Sequence, residues 1–415
     1  MFLLVTLALA DTLSWSQAVD RALTEGVDAQ RAALAVQEAE RVLRARLRQW
    51  DPSLTATADA NSTLVGTGLV TSADVRLVAA MPLWTGGDHR ARVDLARADQ
   101  TAATADRAAT RQATVLAVAD ALVAVDEARA SVEVERSVVE AELATEARVA
   151  AQVDAGARTR ADALQQRAAV ATAQARLVGA EQALVSTTLD AALLLRLDPA
   201  TTWTFAGPAD EPMVTGDAPT LVARAWSNRP ELGVRMSEAD AAAATLRSAQ
   251  AGQRPLVNAT AGVSAGVSSS GGPVGTQLAD SGYPWVGLDV TVPILDRGTT
   301  RAAADVARLD IERASLELAA AREQVAIQVR SALAARDSAR ATLTATQVRQ
   351  EAAAAALDVV QQRYDAGAAL FVELAAARTS AAEADRAATA ATADVTRASF
   401  ALAWAVGGLD PAGTP

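Results

Sequence analysis

The groups best suited to chemistry in this chain are its carboxylates, and two of them are singled out by position. Asp162 lies six residues past Gly156, and Glu373 lies six residues past Gly367. Carboxylates gathered near a chain reversal, each beside copies of itself, would make a site that attracts cations. Both are equally compatible with ordinary solvated helix faces, since acidic residues interleave with arginine along the chain, as in Glu38 and Arg41 or Glu140 and Glu142. Enzymatic chemistry is poorly served. His89 is the only histidine and falls at a predicted helix start, where a solvated or capping role suits it better than catalysis. No Gly-rich phosphate loop or metal-ligand cluster is legible. The absence of cysteine excludes disulfides, thiolate metal sites, cysteine nucleophiles and a lipidated N-terminal cysteine. The sequence therefore predicts no enzyme, no cofactor and no metal. A net charge of -11 argues against nucleic acid as a partner.

What must position those carboxylates is built twice. Pro82 and Gly87 in MPLWTGG recur as Pro293 and Gly298 in VPILDRG, at an offset of 211. Asp154-Ala155-Gly156-Ala157 recurs as Asp365-Ala366-Gly367-Ala368 at the same offset. Leu197-Asp198-Pro199 returns as Leu409-Asp410-Pro411, Pro52 pairs with Pro255, and Ala22-Leu23 with Ala225-Trp226. A period near 210 is too long for a solenoid unit, so each half is itself a module of several elements. The first repeat spans 11–197 and the second 220–411, joined by a crossover at 198–219 that is rich in Pro and Gly, with a short strand expected at Trp203-Thr204-Phe205.

Within each half the predicted order is helix, two strands, very long helix, tight turn, long helix. The first helix is expected over about Trp15 to Arg48, capped by Ser14 or Ser16, and its counterpart over Thr220 to Gln250. From Asp88 to Ala155, and again from Thr299 to Ala366, there is neither proline nor glycine. Val115, Val118, Leu122, Val125, Val132, Val139 and Leu143 recur at helical steps as a coiled-coil-like stripe. A helix of that length is roughly 100 Å long. Alanine supplies most of the 51% hydrophobic content, which suits long helices packed closely. The rods end at hairpin tips, 154–157 and 365–368, where glycine can take the left-handed conformation. Return helices follow, from about Thr159 to Leu195 and Leu370 to Val406. Pro82 to Gly156 and Pro293 to Gly367 are each 74 residues, so both tips end at one level.

Four segments alternate with period two, at about 53–64, 73–83, 256–268 and 284–295. Leu54, Ala56, Ala58 and Ala60 oppose Thr55, Thr57, Asp59 and Asn61; Val286, Leu288, Val290, Val292 and Ile294 oppose Asp289 and Thr291. Each is about ten residues long, the span of a tilted transmembrane strand. A half-solvated soluble sheet would alternate equally well. Trp50 and Trp84 at one border, with Tyr283 and Trp285 at the other, suggest a membrane girdle. Four strands cannot close a barrel and open edges are not tolerated in lipid, so the barrel must be shared between chains. Residues 1–10 are expected to be a signal peptide: Phe2 to Leu9 are apolar and Ala8-Leu9-Ala10 has the small-x-small cleavage pattern. A buried N-terminal strand is the alternative. No later stretch approaches 18 uncharged apolar residues, so no transmembrane helix is expected.

Duplicated helix–strand–strand–helix–helix halves, the motifs PLWTGG and PILDRG ahead of each rod, and glycine tips at equal spacing resemble the outer membrane efflux proteins, the TolC-like channels of Gram-negative bacteria. The resemblance covers Leu13 to Pro411. It implies a mainly α chain with a small β part, forming a homotrimer with one twelve-stranded barrel in outer-membrane lipid and a helical tunnel in the periplasm. It also implies docking to a periplasmic adaptor and to an inner-membrane pump, of RND or ABC type, for efflux or type I secretion. The tips Asp154, Gly156, Asp365 and Gly367 correspond to the docking end. The run from Tyr364 to Leu374 is similar to the family's tip segment, with Glu373 at the acidic constriction and Asp162 at the matching place in the first half. Two threonines of that segment are Ala368 and Leu370 here, and Ala369 stands where some members carry a basic lock. A tip held mainly by apolar packing through Leu370 and Phe371 is therefore expected. The alternative is a periplasmic structural coiled-coil protein without a pore, which would have no need of four amphipathic bilayer-length strands. The tail is 412–415.

Overall fold

The two halves fold through the same series of elements at nearly equal lengths. The structure, a computed structural model, describes residues 11–65, 68–156, 158–208, 211–268 and 283–409. The expected signal peptide, the tail, Ala157 and Asp410-Pro411 lie outside the described residues. Strand β1 (Asp11–Leu13) leads into α1 (Trp15–Glu25) and α2 (Val27–Leu47), then a 3-10 turn at Arg48–Trp50. Strands β2 (Ser53–Val65) and β3 (Gly68–Trp84) precede the rod α3 (Asp88–Asp154) and the return helix α4 (Arg160–Leu194). After β4 (Trp203–Phe205) the series repeats as α5 (Ala218–Asn228), α6 (Pro230–Ala251), β5 (Leu256–Ser268), β6 (Tyr283–Thr291), α7 (Thr299–Asp365) and α8 (Phe371–Ala405). Both rods have 67 residues and both return helices 35.

Each opening helix, expected to be continuous, is broken once. Ser14 caps α1 in a reciprocal box with Gln17, and the helix stops at Gly26, whose φ of -61° and ψ of 136° are extended. A Cβ there would sit 2.2 Å from the Ala22 carbonyl oxygen, so the break requires glycine. In the second half Arg229 is extended at ψ 116°, as expected for a residue preceding proline, and Pro230 opens α6 at the position where its missing N–H costs nothing. Strand β6 is shorter than its alternation suggested. It ends at Thr291, so Val292 and Ile294 fall outside the ladder. Pro293 cannot donate to a neighbouring strand. Its counterpart Pro82 stays within β3, at the cost of a register shift between Pro82 and Trp84.

The chain divides into two compact units. One comprises Met1–Ala33, Arg107–Pro230 and Arg322–Pro415. Its core gathers Ala18, Val19 and Ala22 of α1, Val118, Leu122 and Val125 of α3, Ala191 and Leu195, Phe205 of β4 and Phe400 of α8. Each fully buried Leu, Val or Phe there contributes roughly 1.5–3 kcal/mol. An 18-residue window of α3 has mean hydropathy 1.3 and is apolar enough, by length and composition, to cross a membrane; Val115, Val118, Leu122 and Val125 instead build this core. Strand β1, absent from the sequence reading, pairs in parallel with β4 (Asp11 with Trp203, Leu13 with Phe205). The crossover is strapped to its surroundings. Arg129 donates to the Phe205 carbonyl at 2.9 Å, Arg336 to Val214 at 2.9 Å, and Ser399 to the Glu211 carboxylate at 3.2 Å.

The other unit comprises Leu34–Asp106 and Glu231–Ala321. It contains an antiparallel sheet of order β2-β3-β5-β6. The PLWTGG segment turns into α3 through Gly86 and Gly87 at φ 65° and 97°, with the Arg254 guanidinium donating to the Gly86 carbonyl at 2.9 Å. At the matching junction Asp296 caps α7. Hydrogen bonds from Thr300, then from the Gly298 N–H, hold its carboxyl down at about 2.

Candidate functional site

The two hairpin tips close in the same way. Gly156 (φ 73°) and Gly367 (φ 71°) occupy the left-handed region, and the Gly367 and Ala368 N–H groups donate back to Tyr364 and Arg363 at 3.0 and 2.7 Å, the doubly bonded helix end that favours glycine. A Cβ at either glycine would meet nothing within 4 Å. Glycine is needed there for its backbone, not for room. Asp154 and Asp365 are exposed beside these turns, with Asp365 accepting from Gln361 at 3.0 Å.

Beyond the turns the two halves diverge. Asp162 and Thr159 form a capping box: the Asp162 carboxylate accepts from the Thr159 N–H at 3.1 Å, and the Thr159 hydroxyl accepts from the Asp162 N–H at 3.2 Å. Glu373 has no such partner ahead of it, because Leu370 caps α8 without a side-chain bond. Its carboxylate faces the Arg363 guanidinium at 3.9 Å. Apolar packing at the second tip runs through Phe371, Tyr364, Ala369 and Leu374, with the Tyr364 and Phe371 rings 6.4 Å apart. Leu370, expected in that packing, is 68% exposed; as the extended N-cap residue (φ -81°, ψ 154°) it stands outside the first turn. A basic residue does reach this tip, from the first hairpin. Arg158 lies 4.1 Å over the Tyr364 ring and donates to the Tyr364 carbonyl at 3.0 Å. Burial pushes the Tyr364 phenol above its ordinary range, against the opposing pull of Arg158.

Three carboxylates of the rod α3 are more than a solvated face, because each is paired with an arginine of α8. Glu127, Glu135 and Glu142 of α3 meet Arg397, Arg386 and Arg378 of α8. Arg386 holds Glu135 with two hydrogen bonds, at 2.5 and 3.0 Å. Glu142 and Arg378 are 13% and 11% exposed at the side chain and 3.4 Å apart, and Gln166 donates to Glu142 at 2.6 Å. Burial draws the Arg378 pKa down, with Glu142 opposing. A cavity of about 600 Å³ lies beside this seam, lined by Glu142, Arg148, Arg176, Gln361, Arg378 and Asp385.

The sheet of the second unit has two unlike faces. Directly opposed residues share a face, so the register from Leu54 with Ala79, through Leu77 with Val263, to Ala259 with Leu288 makes one face apolar, with Ser62 opposite Thr71 as its polar pair near the junction of β2 and β3. That face is uncovered: Leu54 is 70% exposed, Val75 58%, Val286 87% and Leu288 63%. Every charge on the described strands of this sheet, Asp59, Asp74, Arg76 and Asp289, lies on the other face. Trp84 pairs with Val257 on the apolar face. The expected girdle is corrected at its far border. Tyr283 pairs with Ser264 and Trp285 with Gly262, on the charged face, because both sit at odd positions of β6 in phase with Asp289. Trp50 lies outside the sheet, its ring 4.9 Å from that of His89 and nearly perpendicular to it.

These features place the chain among known proteins. Residues 18–193 and 221–408 match the model of the outer membrane efflux protein family. Among curated proteins none matches the sequence. Among solved structures the chain is similar to the outer membrane protein VceC of Vibrio cholerae, at 19% identity and TM-score 0.80, covering 95% of this chain and 96% of that one. A membrane protein from Pseudomonas aeruginosa gives 22% identity and TM-score 0.83, over 96% and 91%. The open state of the MtrE outer membrane channel of Neisseria gonorrhoeae gives 21% and 0.79, over 96% and 90%. At these identities the structures speak for the fold, and the family match carries the membership. The chain belongs to the outer membrane efflux protein family and is an exit channel of the cell outer membrane.

Proposed function

We propose that three copies of this chain close one twelve-stranded barrel in the outer membrane, their helices continuing as a periplasmic tunnel, and that the tunnel receives substrate from an inner-membrane pump of RND or ABC type through a periplasmic adaptor. The observation that carries this reading is the sheet itself. One face exposes a continuous apolar surface, and β2 and β6 are its outer strands. An exposed apolar face of that kind needs lipid or a partner. Backbone groups left open on β2 and β6 cannot remain so in hydrocarbon. Pairing β6 of one copy with β2 of the next satisfies both demands, and three copies bring the strand count above the smallest closed transmembrane barrel. Native mass spectrometry in detergent should give three copies, and unboiled samples should migrate apart from boiled ones on gels. A monodisperse monomer that retains its strand signal would refute the shared barrel.

The adaptor-docking end is assigned to the turns around Gly156 and Gly367, with Asp154 and Asp365 exposed beside them. The constriction is assigned to Glu373, Asp162 and the Phe371 cluster, with Leu370 as the exposed apolar residue one position ahead. Three-fold symmetry would gather three copies of each carboxylate. A periplasmic rod without a pore accounts for none of the sheet's exposed apolar face.

A further inference from the structure

We infer that the charged face of the sheet carries an aromatic-and-acidic patch, Tyr283 and Trp285 with Asp59, Asp74 and Asp289, which contacts hydrophobic organic cations as they leave the pore. The inference rests on the barrel proposed above, in which this face lines the lumen. Its starting point is the position of the aromatics. Lipid girdles place Trp and Tyr on the outward face, yet the register puts these two in phase with Asp289 and opposite to Val286, Leu288 and Val290.

The local structure is built to keep them there. Tyr283 is 63% exposed. The Trp285 indole lies across Gly262, where a Cβ would come within 2.9 Å of the ring. Glycine at 262 therefore leaves room for the indole as well as for the Leu77 carbonyl oxygen, 2.7 Å from where a Cβ would sit, the arrangement by which an aromatic covers a strand glycine. Trp285 is half-buried, so part of its electron-rich ring remains open to solvent. On one side of Trp285 the rows are polar: Tyr283, Ser264, Arg76 and Thr57 form the first, and Asp74, Gly266 and Asp59 the next. Asp289 sits two rows away on the other side of Trp285, accepting from the Thr260 hydroxyl at 3.0 Å. Three carboxylates stand against the single guanidinium of Arg76, which is itself 3.5 Å from Asp74.

The chemistry selects its ligand. A ring face attracts a poorly hydrated cation, and the excess of carboxylates raises the local concentration of cations and excludes anions. A solute carrying positive charge on an apolar body satisfies both features. A neutral solute or an organic anion satisfies at most one.

The test uses the full-length channel in planar bilayers, with benzyltrimethylammonium added to either side and benzenesulfonate as the aromatic anion of similar size. Benzyltrimethylammonium should reduce single-channel current in the wild type, and benzenesulfonate should not. Tyr283→Ala and Trp285→Ala should each raise the half-blocking concentration by roughly two- to fivefold, the range for exposed cation–ring contacts. Trp285→Phe should retain most of the block, and potassium chloride conductance should be unchanged in all variants. If Trp285→Ala fails to assemble because Gly262 loses its cover, Tyr283→Ala carries the test. Equal block by cation and anion, or unchanged block in Tyr283→Ala, overturns the inference while leaving the barrel standing. A monodisperse monomer in detergent overturns the barrel and the inference with it.

Discussion

The pair between Glu135 of α3 and Arg386 of α8 allows the sharpest prediction, because its two partners differ in burial. The Glu135 side chain is 6% exposed and that of Arg386 26%, and two hydrogen bonds join them. Replacing Arg386 with Met strands a nearly buried carboxylate, a loss of about 3–5 kcal/mol. Replacing Glu135 with Met leaves a guanidinium that already reaches water. The loss should then be about 1.5–3 kcal/mol, that of hydrogen bonds to a charged group. The double variant removes both desolvation costs and should come within about 1 kcal/mol of the wild type. The coupling between the two positions is then about 3.5 kcal/mol or more.

Global unfolding is a poor measure for a membrane-embedded chain that does not unfold in two states, whereas amide exchange reports opening locally. Protection of α8 amides around Arg386 should fall by roughly a hundredfold to a few thousandfold in Arg386→Met, at about 1.4 kcal/mol per factor of ten. The fall should be smaller in Glu135→Met, and the double variant should recover. If Arg386→Met leaves α8 protection within threefold of wild type, or if the double variant is no better than the worse single one, the seam between α3 and α8 is not held by this pair.

The remaining predictions test other parts of the chain. Val at Gly156 or Gly367 should cost roughly 1–2 kcal/mol through the left-handed backbone alone, since neither site is crowded; export should fall while heat-resistant oligomers persist on gels. Leu288→Arg places a charge on the exposed apolar sheet face and should cost about 2–4 kcal/mol if that position lies near the bilayer midplane, read as lost outer-membrane assembly with the helices still formed by circular dichroism. Phe400→Ala opens a cavity among Phe205, Leu122 and Ala18 and should cost about 3–5 kcal/mol, seen as early exchange of β4 and α1 amides. Glu373→Gln with Asp162→Asn should lower cation selectivity in planar bilayers without loss of fold, because Thr159 remains the cap of α4 and an amide oxygen at position 162 can still accept from the Thr159 N–H; unchanged selectivity would remove both carboxylates from the constriction.

The rods were legible because their signal is local. Absence of Gly and Pro over 67 residues, repeated in the second half, leaves helix as the consistent reading, and the two Asp-Ala-Gly turns mark where it must stop. The breaks at Gly26 and Arg229 were less legible, because one glycine costs a helix only about 1 kcal/mol and proline is tolerated in a first turn. What decides at Gly26 is the Ala22 carbonyl 2.2 Å from where a Cβ would sit. The parallel pairing of β1 with β4 joins residues 192 apart, and three-residue strands carry no periodicity to read. The pairs between α3 and α8 are hidden for the same reason. One clue was available for two of them: Glu135 and Glu142 follow Val132 and Val139 by three residues each, which puts them along the edge of that stripe, whereas Glu127, two past Val125, gives no such sign. A carboxylate along the edge of the apolar stripe is one that must find a partner.

At the second tip, residue-by-residue correspondence and physical chemistry pull apart in an informative way. Position 369 holds alanine where a basic residue stands in some relatives, and alanine there is buried beside Tyr364 and Phe371. Taken alone, that substitution predicts a tip with no cation. Tyr364 nevertheless has a guanidinium 4.1 Å over its ring, supplied by Arg158 two residues past Gly156 rather than two past Gly367. The requirement is set by the ring and the helix end together. An aromatic face favours a cation, and the carbonyls of a helix C-terminus favour one too. Arg158 meets both at once, through its position over the ring and its hydrogen bond to the Tyr364 carbonyl. Any chain segment that brings an arginine to that spot can supply it, and both hairpins end there. The interaction is thus tied to a place in the fold and not to a column of the sequence, which is why it also joins the first hairpin to the second.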